Sequence, residues 1–258
     1  MNSLFPPYWQ IRVSAIAVLS LFFVISTPVP SISADSAIDE AEQQEIEAII
    51  KDYLLTHPAV VGEALENYLE QREAIREAQA KEALANNRDA FTDEKTAFIA
   101  GNPEAKVTII EFFDYNCGVC RNATPSIMKV LQDNDDVKVI FREFPIRGAD
   151  SESVARAALA ARGQGKYVEL HKQLMALEDR ITLSRFDLIA GQLGLDVNLI
   201  HTSMMAPSVN EAIAKNYELA EKLNFEGTPS FIVGDRILYG WPGDENFLQI
   251  IAAEQSKP

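Results

Sequence analysis

The sequence predicts an α/β domain that carries an inserted helical subdomain and is preceded by a helical N-terminal segment. Three observations predict it. The run Val107-Thr108-Ile109-Ile110-Glu111-Phe112-Phe113 is almost entirely β-branched or aromatic, and a second such run, Val137 to Phe141, follows after an interval of helical length. From about residue 151 to 225 the apolar positions recur at helical spacing throughout. Residues 35–102 also repeat helically but in a far more acidic setting, with 16 Asp or Glu against 6 Lys or Arg.

The 258 residues are 47% hydrophobic and 24% charged, which suits a folded chain and not a disordered one. Residues 1–34 depart from that average. Arg12 is their only charged side chain, an apolar run from Val13 to Ile25 follows it, and Thr27-Pro28-Val29-Pro30 leads into small residues ending at Ala34. This is the layout of a secretory signal peptide, with an uncleaved membrane anchor as the alternative. Either form places the remainder outside the cytoplasm, and the periplasm is the expected compartment. A formal net charge of −15 argues against nucleic acid and anionic membrane surfaces as partners.

Ile46, Ile49, Ile50, Tyr53 and Leu54 form one amphipathic set, and Val60, Val61, Ala64, Leu65, Tyr68 and Leu69 form a second. Pro58 suits a first helical position, where its missing N–H costs nothing, so the break between the helices falls at Thr56-His57. Beyond Leu69 the pattern turns polar and reads as a solvated helix or connector. The apolar stripe must be covered by the chain's own domain or by another copy. Periodicity does not separate these covers; a homo-oligomer is the favoured expectation, with 35–102 as the oligomerisation and linker segment.

Gly101-Asn102-Pro103 punctuates the chain, and the α/β domain is expected over 103–258 with its helical insertion at about 150–225. Strand, helix, strand over 107–141 implies a parallel pair joined by a crossover. Within the insertion, Ser184 and Ser208 each have an acid three residues on and predict helix starts. Ser230 to Val233, a tight turn at Gly234-Asp235 and Arg236 to Tyr239 predict a hairpin, and a last helix is expected from Asp244 to Ala253.

Both cysteines of the chain lie in Cys117-Gly118-Val119-Cys120. A structural disulfide here would close a very small loop and so add little stability. A closed zinc site wants four ligands, whereas His57, His171 and His201 are scattered. A strand that runs into Cys-x-x-Cys at the start of a helix instead puts Cys117 where free N–H groups and the helix dipole favour a thiolate. That thiolate is the nucleophile of thiol–disulfide exchange, with Cys120 as the resolving thiol. Glu111 sits in the apolar strand six residues earlier. An unpaired buried carboxylate there should be protonated at raised pKa or serve as proton acceptor for Cys120, the alternative being an edge-facing side chain. Thr228-Pro229 enters a strand, a position where proline survives only at a start, an edge or a bulge, and where a cis bond is compatible.

Phe112 to Cys120, Phe144-Pro145-Ile146, Ala155 to Ala161, Gly163-Gln164-Gly165-Lys166-Tyr167 with His171, and Gly227-Thr228-Pro229-Ser230-Phe231 together resemble the DsbA-like thiol:disulfide interchange proteins. The resemblance implies a thioredoxin-like fold, Cys117 as nucleophile, Cys120 as resolving cysteine and partner in a redox-active disulfide, Glu111 as buried acid, and Pro229 as the cis-proline. It implies no metal and no organic cofactor. Tyr53 to Pro58 and Val60 to Leu65 resemble the oligomerisation segment of the ScsC-like branch, whose members tend toward isomerase or reductase work. Gly118-Val119 stands where strong oxidants carry Pro-His, so no imidazole supports the thiolate, and Thr228 resembles the bacterial disulfide isomerases. Expected partners are unfolded or misfolded exported proteins and a membrane redox protein, a DsbD-like reductant for an isomerase or a DsbB-like oxidant for a dithiol oxidase. A chaperone-like clamp and a copper-binding protein using the two thiolates are the readings from another class.

Overall fold

A computed structural model describes residues 39–257. The expected signal peptide, residues 1–34, lies outside the described residues. Two compact units divide the chain, one ending at Val61 and the other beginning at Gly62.

In the first unit, helix α1 spans Glu40–Thr56. It starts because the Asp39 carboxylate accepts from the Glu42 N–H at 2.8 Å. It stops at His57, whose ring stacks on Tyr53 with centroids 4.4 Å apart, and Pro58 opens α2, Pro58–Asn86, as the missing N–H allows. Ile46, Ile49, Ile50, Tyr53 and Leu54 of α1 are all exposed.

In the second unit, α2 continues with Leu65, Tyr68 and Leu69 exposed and then buries Ala80 and Leu84. A short helix α3, Arg88–Thr92, buries Phe91, and strand β1, Phe98–Gly101, pairs antiparallel with β3, Val137–Glu143. The core therefore begins well before the expected start at Pro103. What reads as a polar connector beyond Leu69 carries a sparse set of apolar residues, Ala80, Leu84, Phe91 and Ala97, that pack with Ile110, Phe112, Ile140 and Leu219.

Strand β2, Val107–Phe113, lies at the centre of a five-stranded sheet ordered β1-β3-β2-β4-β5. It runs parallel to β3, with Glu111 opposite Phe141, and antiparallel to β4, Ser230–Val233, with Glu111 opposite Phe231. Helix α4, Gly118–Asp133, makes the crossover; β5, Arg236–Leu238, closes the hairpin around Gly234 at φ +60°, and α10 covers Asp244–Gln255. Between β3 and β4 come five α-helices: α5 Ala149–Ala161, α6 Tyr167–Met175, α7 Leu183–Gln192, α8 Val197–Ser203 and α9 Pro207–Lys222. Two of these start slightly before the serines singled out in the sequence. Thr182 caps α7, its hydroxyl accepting from the Arg185 N–H at 3.3 Å, and Asp187 turns to His201 instead; α9 begins at Pro207, whose fixed φ suits a first turn.

Alternation along β2 sorts the two faces. Val107, Ile109 and Phe113 join the cysteines, Ile127 of α4 and the insertion helices, while Ile110 and Phe112 face α2, α3 and α9. On the second face Arg142 is fully buried, with no carboxylate bound to it among the described residues. Its guanidinium donates to the carbonyls of Phe91 and Ala90 at 2.8 and 2.9 Å and to Asn216 Oδ1 at 2.8 Å. One cation thus satisfies carbonyls at the end of α3 and pins that helix to the sheet.

Candidate active site

The β2 strand delivers Glu111 and the loop 114–117, and α4 delivers both thiols. Cys117 is the N-cap of α4 and Cys120 lies one turn in; both are free thiols and fully buried. The loop is fixed by Asp114, itself 2% exposed. Its Oδ1 accepts from the Asn116 N–H at 2.7 Å and the Ser151 hydroxyl at 2.8 Å, and its Oδ2 accepts from the Arg147 N–H at 2.9 Å. Asn116 and Arg121 complete the clamp. The Asn116 amide exchanges hydrogen bonds with the Ile181 backbone at 2.7 and 3.0 Å, and Arg121 donates to the carbonyls of Tyr115 and Glu178 at 3.0 and 2.9 Å. The sheet end and the helical insertion therefore hold the cysteine loop jointly.

The Cys117 thiol donates to the carbonyl of Thr228 at 3.1 Å, and the Thr228–Pro229 peptide is cis. Chain segments 111 residues apart thus meet at one sulfur. A cation is also present: the Arg147 guanidinium lies 3.6 Å from Cys117 Sγ. The Cys117 thiol is held down to about 5, first by hydrogen bonding from Cys120 and then with help from the Cys120 N–H and the Arg147 charge, against the opposing effect of burial. Cys120 is pushed far up by burial, then by Cys117 and by the charge of Glu111. The two thiols of one motif are thereby driven apart.

Glu111 shares the β2 face of Ile109 and Phe113, on the thiol side of the sheet. It is fully buried, and neither carboxyl oxygen has a hydrogen-bond partner among the described residues. Burial first, and then the Cys117 charge, raise its carboxyl to about 8. The edge-facing alternative does not describe it.

Beneath these groups lies a second buried polar set. The Tyr167 hydroxyl donates to Glu143, whose carboxyl is raised to about 7 by burial, and His171, its rings neighbours being Phe113 and Phe141 at 4.9 and 4.7 Å, is pushed down to about 3 by burial and stays neutral. His57 ends α1 and His201 bonds Asp187 at 2.8 Å, so the three histidines are in three different settings.

The structure brings Cys117, Cys120, Glu111, Thr228 and Pro229 together. Sequence reasoning missed Arg147, Asp114, Asn116 and Arg121. Asp114 and Asn116 stood inside a quoted motif without an assigned part; Arg147 gave no local signal, because only the fold brings residue 147 to residue 117.

Residues 108–252 match the DSBA-like thioredoxin domain family. The chain belongs to that family. Residues 42–83 match the copper resistance protein ScsC N-terminal domain, which places this DsbA-like chain with the ScsC branch. Among solved structures it is similar to a thioredoxin-like oxidoreductase from Silicibacter pomeroyi, 38% identical, covering 67% of this chain and 99% of that one at a TM-score of 0.64. A Proteus mirabilis ScsC linker-deletion mutant is 25% identical, covering 87% and 100% at 0.65. A periplasmic thioredoxin-like protein from Salmonella enterica serovar Typhimurium is 25% identical, covering 66% and 96% at 0.59. The chain spans under a third of the first curated relatives it matches; against the Na(+)/H(+) antiporter NhaA 3 of Salinispora tropica it is 29% identical over 70% of this chain and 29% of that protein. The DsbA-like fold is that of thiol–disulfide oxidoreductases, and no helix among the described residues is long and apolar enough to cross a membrane.

Proposed function

We propose that the protein is an exported thiol:disulfide oxidoreductase that acts on protein disulfides through Cys117 and Cys120, working as an oligomeric isomerase and reductase. The observation that carries this reading is the asymmetry of the two thiols, one capping α4 with its pKa drawn down to about 5 and the other buried with its pKa driven up. In the first step the Cys117 thiolate attacks a substrate disulfide, forming a mixed disulfide and expelling one substrate sulfur as thiolate. In the second, Cys120 gives its proton to Glu111 and attacks the Cys117 sulfur. The other substrate thiolate leaves, a Cys117–Cys120 disulfide forms, and two electrons have passed to the substrate. Glu111, raised to about 8, is suited to exchange a proton near neutral pH. In isomerisation a substrate thiolate attacks the mixed disulfide instead and Cys117 leaves reduced.

Exported, misfolded polypeptides suit the rim, where Val119 and Ile146 expose apolar side chains. Export is supported by the leader over residues 1–34 and by the periplasmic Salmonella relative. Assembly of copies is supported by the exposed Ile49, Leu55 and Leu65 and by the ScsC-type N-terminal match. An isomerase needs a DsbD-like membrane reductant. A second reading, a dithiol oxidase recharged by a DsbB-like oxidant, is favoured by Arg147, whose charge supports the thiolate and so a more oxidising disulfide.

Insulin reduction and scrambled-ribonuclease refolding test the reading. Cys117→Ser should abolish both, and Cys120→Ser should accumulate mixed disulfides with substrate. Undiminished insulin reduction in Cys117→Ser would overturn the role of Cys117, and ribonuclease refolding that survives loss of both thiols would favour a chaperone-like clamp.

A further inference from the structure

Six buried polar atoms on the thiol side of the sheet have no hydrogen-bond partner among the described residues. They are both carboxyl oxygens of Glu111, the Tyr115 hydroxyl, one carboxyl oxygen of Glu143 and both ring nitrogens of His171. Folded proteins leave few such atoms unpaired, because each forfeits the hydrogen bonds it made with water. Strand register explains the grouping. Glu111 stands beside Phe141 and Phe113 beside Glu143, all four on one face of β2 and β3, so the two carboxyls occupy diagonal corners of a four-residue patch. The His171 ring packs on the other two corners, with centroids 4.9 Å from Phe113 and 4.7 Å from Phe141, and so stands over the centre. The charges of Glu143 and Glu111 both act on the Tyr115 hydroxyl.

The far end of this set approaches the surface. Tyr167, which donates to Glu143, stacks on Phe98 of β1 with ring centroids 4.1 Å apart. Phe98 and Arg162 line a surface cleft of about 370 Å³, and the charges of Arg162 and Arg142 act on Glu143. The near end lies under the thiols, where the charge of Cys117 helps to hold the proton on Glu111. Exchange makes a demand on that proton. Once Cys117 is bound in a mixed disulfide its charge is gone, and Glu111 must lose its proton before it can accept one from Cys120. At that moment a polypeptide covers the mouth above Cys117, so the proton needs a way out that does not pass the substrate.

We propose that His171, Tyr115, Tyr167 and Glu143 form a proton route that joins Glu111 to the cleft at Arg162, with Glu143 as its outer acid. The assignment rests on the exchange reading above and adds to it the residues that reset its base. A neutral imidazole suits the central place. It carries one N–H donor and one bare nitrogen, so it takes a proton at one as it gives a proton from the other, and burial keeps His171 in that neutral form. None of the six atoms is hydrogen-bonded to another, so each transfer passes through a bridging water, the group that settles where several unpartnered polar atoms share an interior. Protons balance: one leaves Glu111 and reaches solvent past Glu143, and the proton of Cys120 then replaces it on the carboxylate. Glu143 touches neither substrate nor sulfur and acts only through Glu111.

The test is Glu143→Gln in the full chain. The amide still accepts from Tyr167 and has the shape of the protonated acid, but it cannot pass a proton on. Reduced protein is mixed rapidly with insulin and quenched in acid, and the mixed disulfide is followed by mass. The first step should keep its rate and the second should slow about tenfold, less than the loss of an acid–base group that acts directly. Glu143→Asp, which keeps a carboxyl, should retain most of the second-step rate. A route changes rates and not equilibria, so the Cys117 pKa and the redox potential should match wild type in both variants. If the Gln form melts below assay temperature, Tyr167→Phe, which keeps its ring on Phe98, should give the same split between steps. An unchanged second step overturns the proposal. So does an Asp form as slow as the Gln form, and so does a slowing of both steps or a shifted potential, since Glu143 would then be shaping the site. A wild-type chain that forms no mixed disulfide with insulin overturns the exchange reading first, and the proton route with it.

Discussion

Arg147 holds its guanidinium 3.6 Å from the sulfur of Cys117, bringing to the nucleophile a cation that the Gly118-Val119 pair lacks. The same residue's N–H is anchored on Asp114, so the loop that carries the charge and the loop that carries the thiol are tied at one carboxylate.

Arg147→Leu removes that charge and leaves the anchoring N–H in place. The Cys117 pKa should rise from about 5, and because the thiolate is then less favoured, the reduced form loses stability and the potential becomes more negative. Arg147 is exposed, so the shift should stay under about one unit, in line with roughly 0.2–1 kcal/mol for exposed ion pairs. Thiolate absorbance against pH and equilibration with glutathione measure both. A pKa unchanged in the variant would sink the role.

Glu111→Gln should change how stability follows pH. The buried carboxyl titrates near 8 in the folded chain and near 4.5 unfolded, so the folded state holds the extra proton between those values and stability falls as pH rises across them. Gln cannot ionise and removes this loss, leaving the variant more stable than wild type at pH 8 by on the order of a few kcal/mol and little different at pH 4. The second step of exchange should slow, seen as mixed disulfide that lingers after rapid mixing. Urea unfolding of both reduced proteins across pH 4–9 checks the sign; Cys117 contributes an opposite slope common to both.

Arg142→Met should be among the most destabilising single changes. It leaves the carbonyls of Ala90 and Phe91 and the Asn216 side chain without their donor inside the core. A loss of about 2–4 kcal/mol is expected, with the exchange chemistry of the surviving folded fraction intact. Thermal unfolding followed by circular dichroism, with insulin reduction at low temperature, separates the two.

A chain beginning at Gly62 should fold and reduce insulin but lose self-association and most isomerase activity. One beginning at residue 96 should fail to fold, because it lacks Ala80, Leu84 and Phe91 and two of the carbonyls that Arg142 satisfies. Light scattering, ribonuclease refolding and circular dichroism on the two truncations give the result. A full-length chain that is monomeric at tens of micromolar would contradict the oligomer.

Much of this was legible in the sequence for physical reasons. The β2 run announces itself because a strand buried on both faces is apolar at every position, which also makes Glu111 conspicuous. The break at His57 and the hairpin at Gly234-Asp235 are written in local backbone chemistry. Strand β1 was not legible: Phe98 to Gly101 is four residues long, sits at a sheet edge and carries no alternation. Arg142 was hidden for a different reason. A lone arginine in a strand reads as solvent-facing until the carbonyls of α3 close around it. Arg147 belongs to the same class, since its meaning depends on a loop 30 residues distant in sequence.

The burial of Cys117 has a bearing on chemical damage. A thiol ionised at neutral pH is ordinarily the first target of hydrogen peroxide and alkylating agents, and stepwise oxidation beyond the sulfenic acid is irreversible. Here the sulfur is ionisable yet fully covered, so acidity and access are separated. Attack must wait until the covering side chains part. Peroxide therefore reaches the sulfur only when that cover opens. The cover thus works as a kinetic filter against small oxidants, and the hydrogen bonds at Cys117 outweigh the acidity that burial takes away.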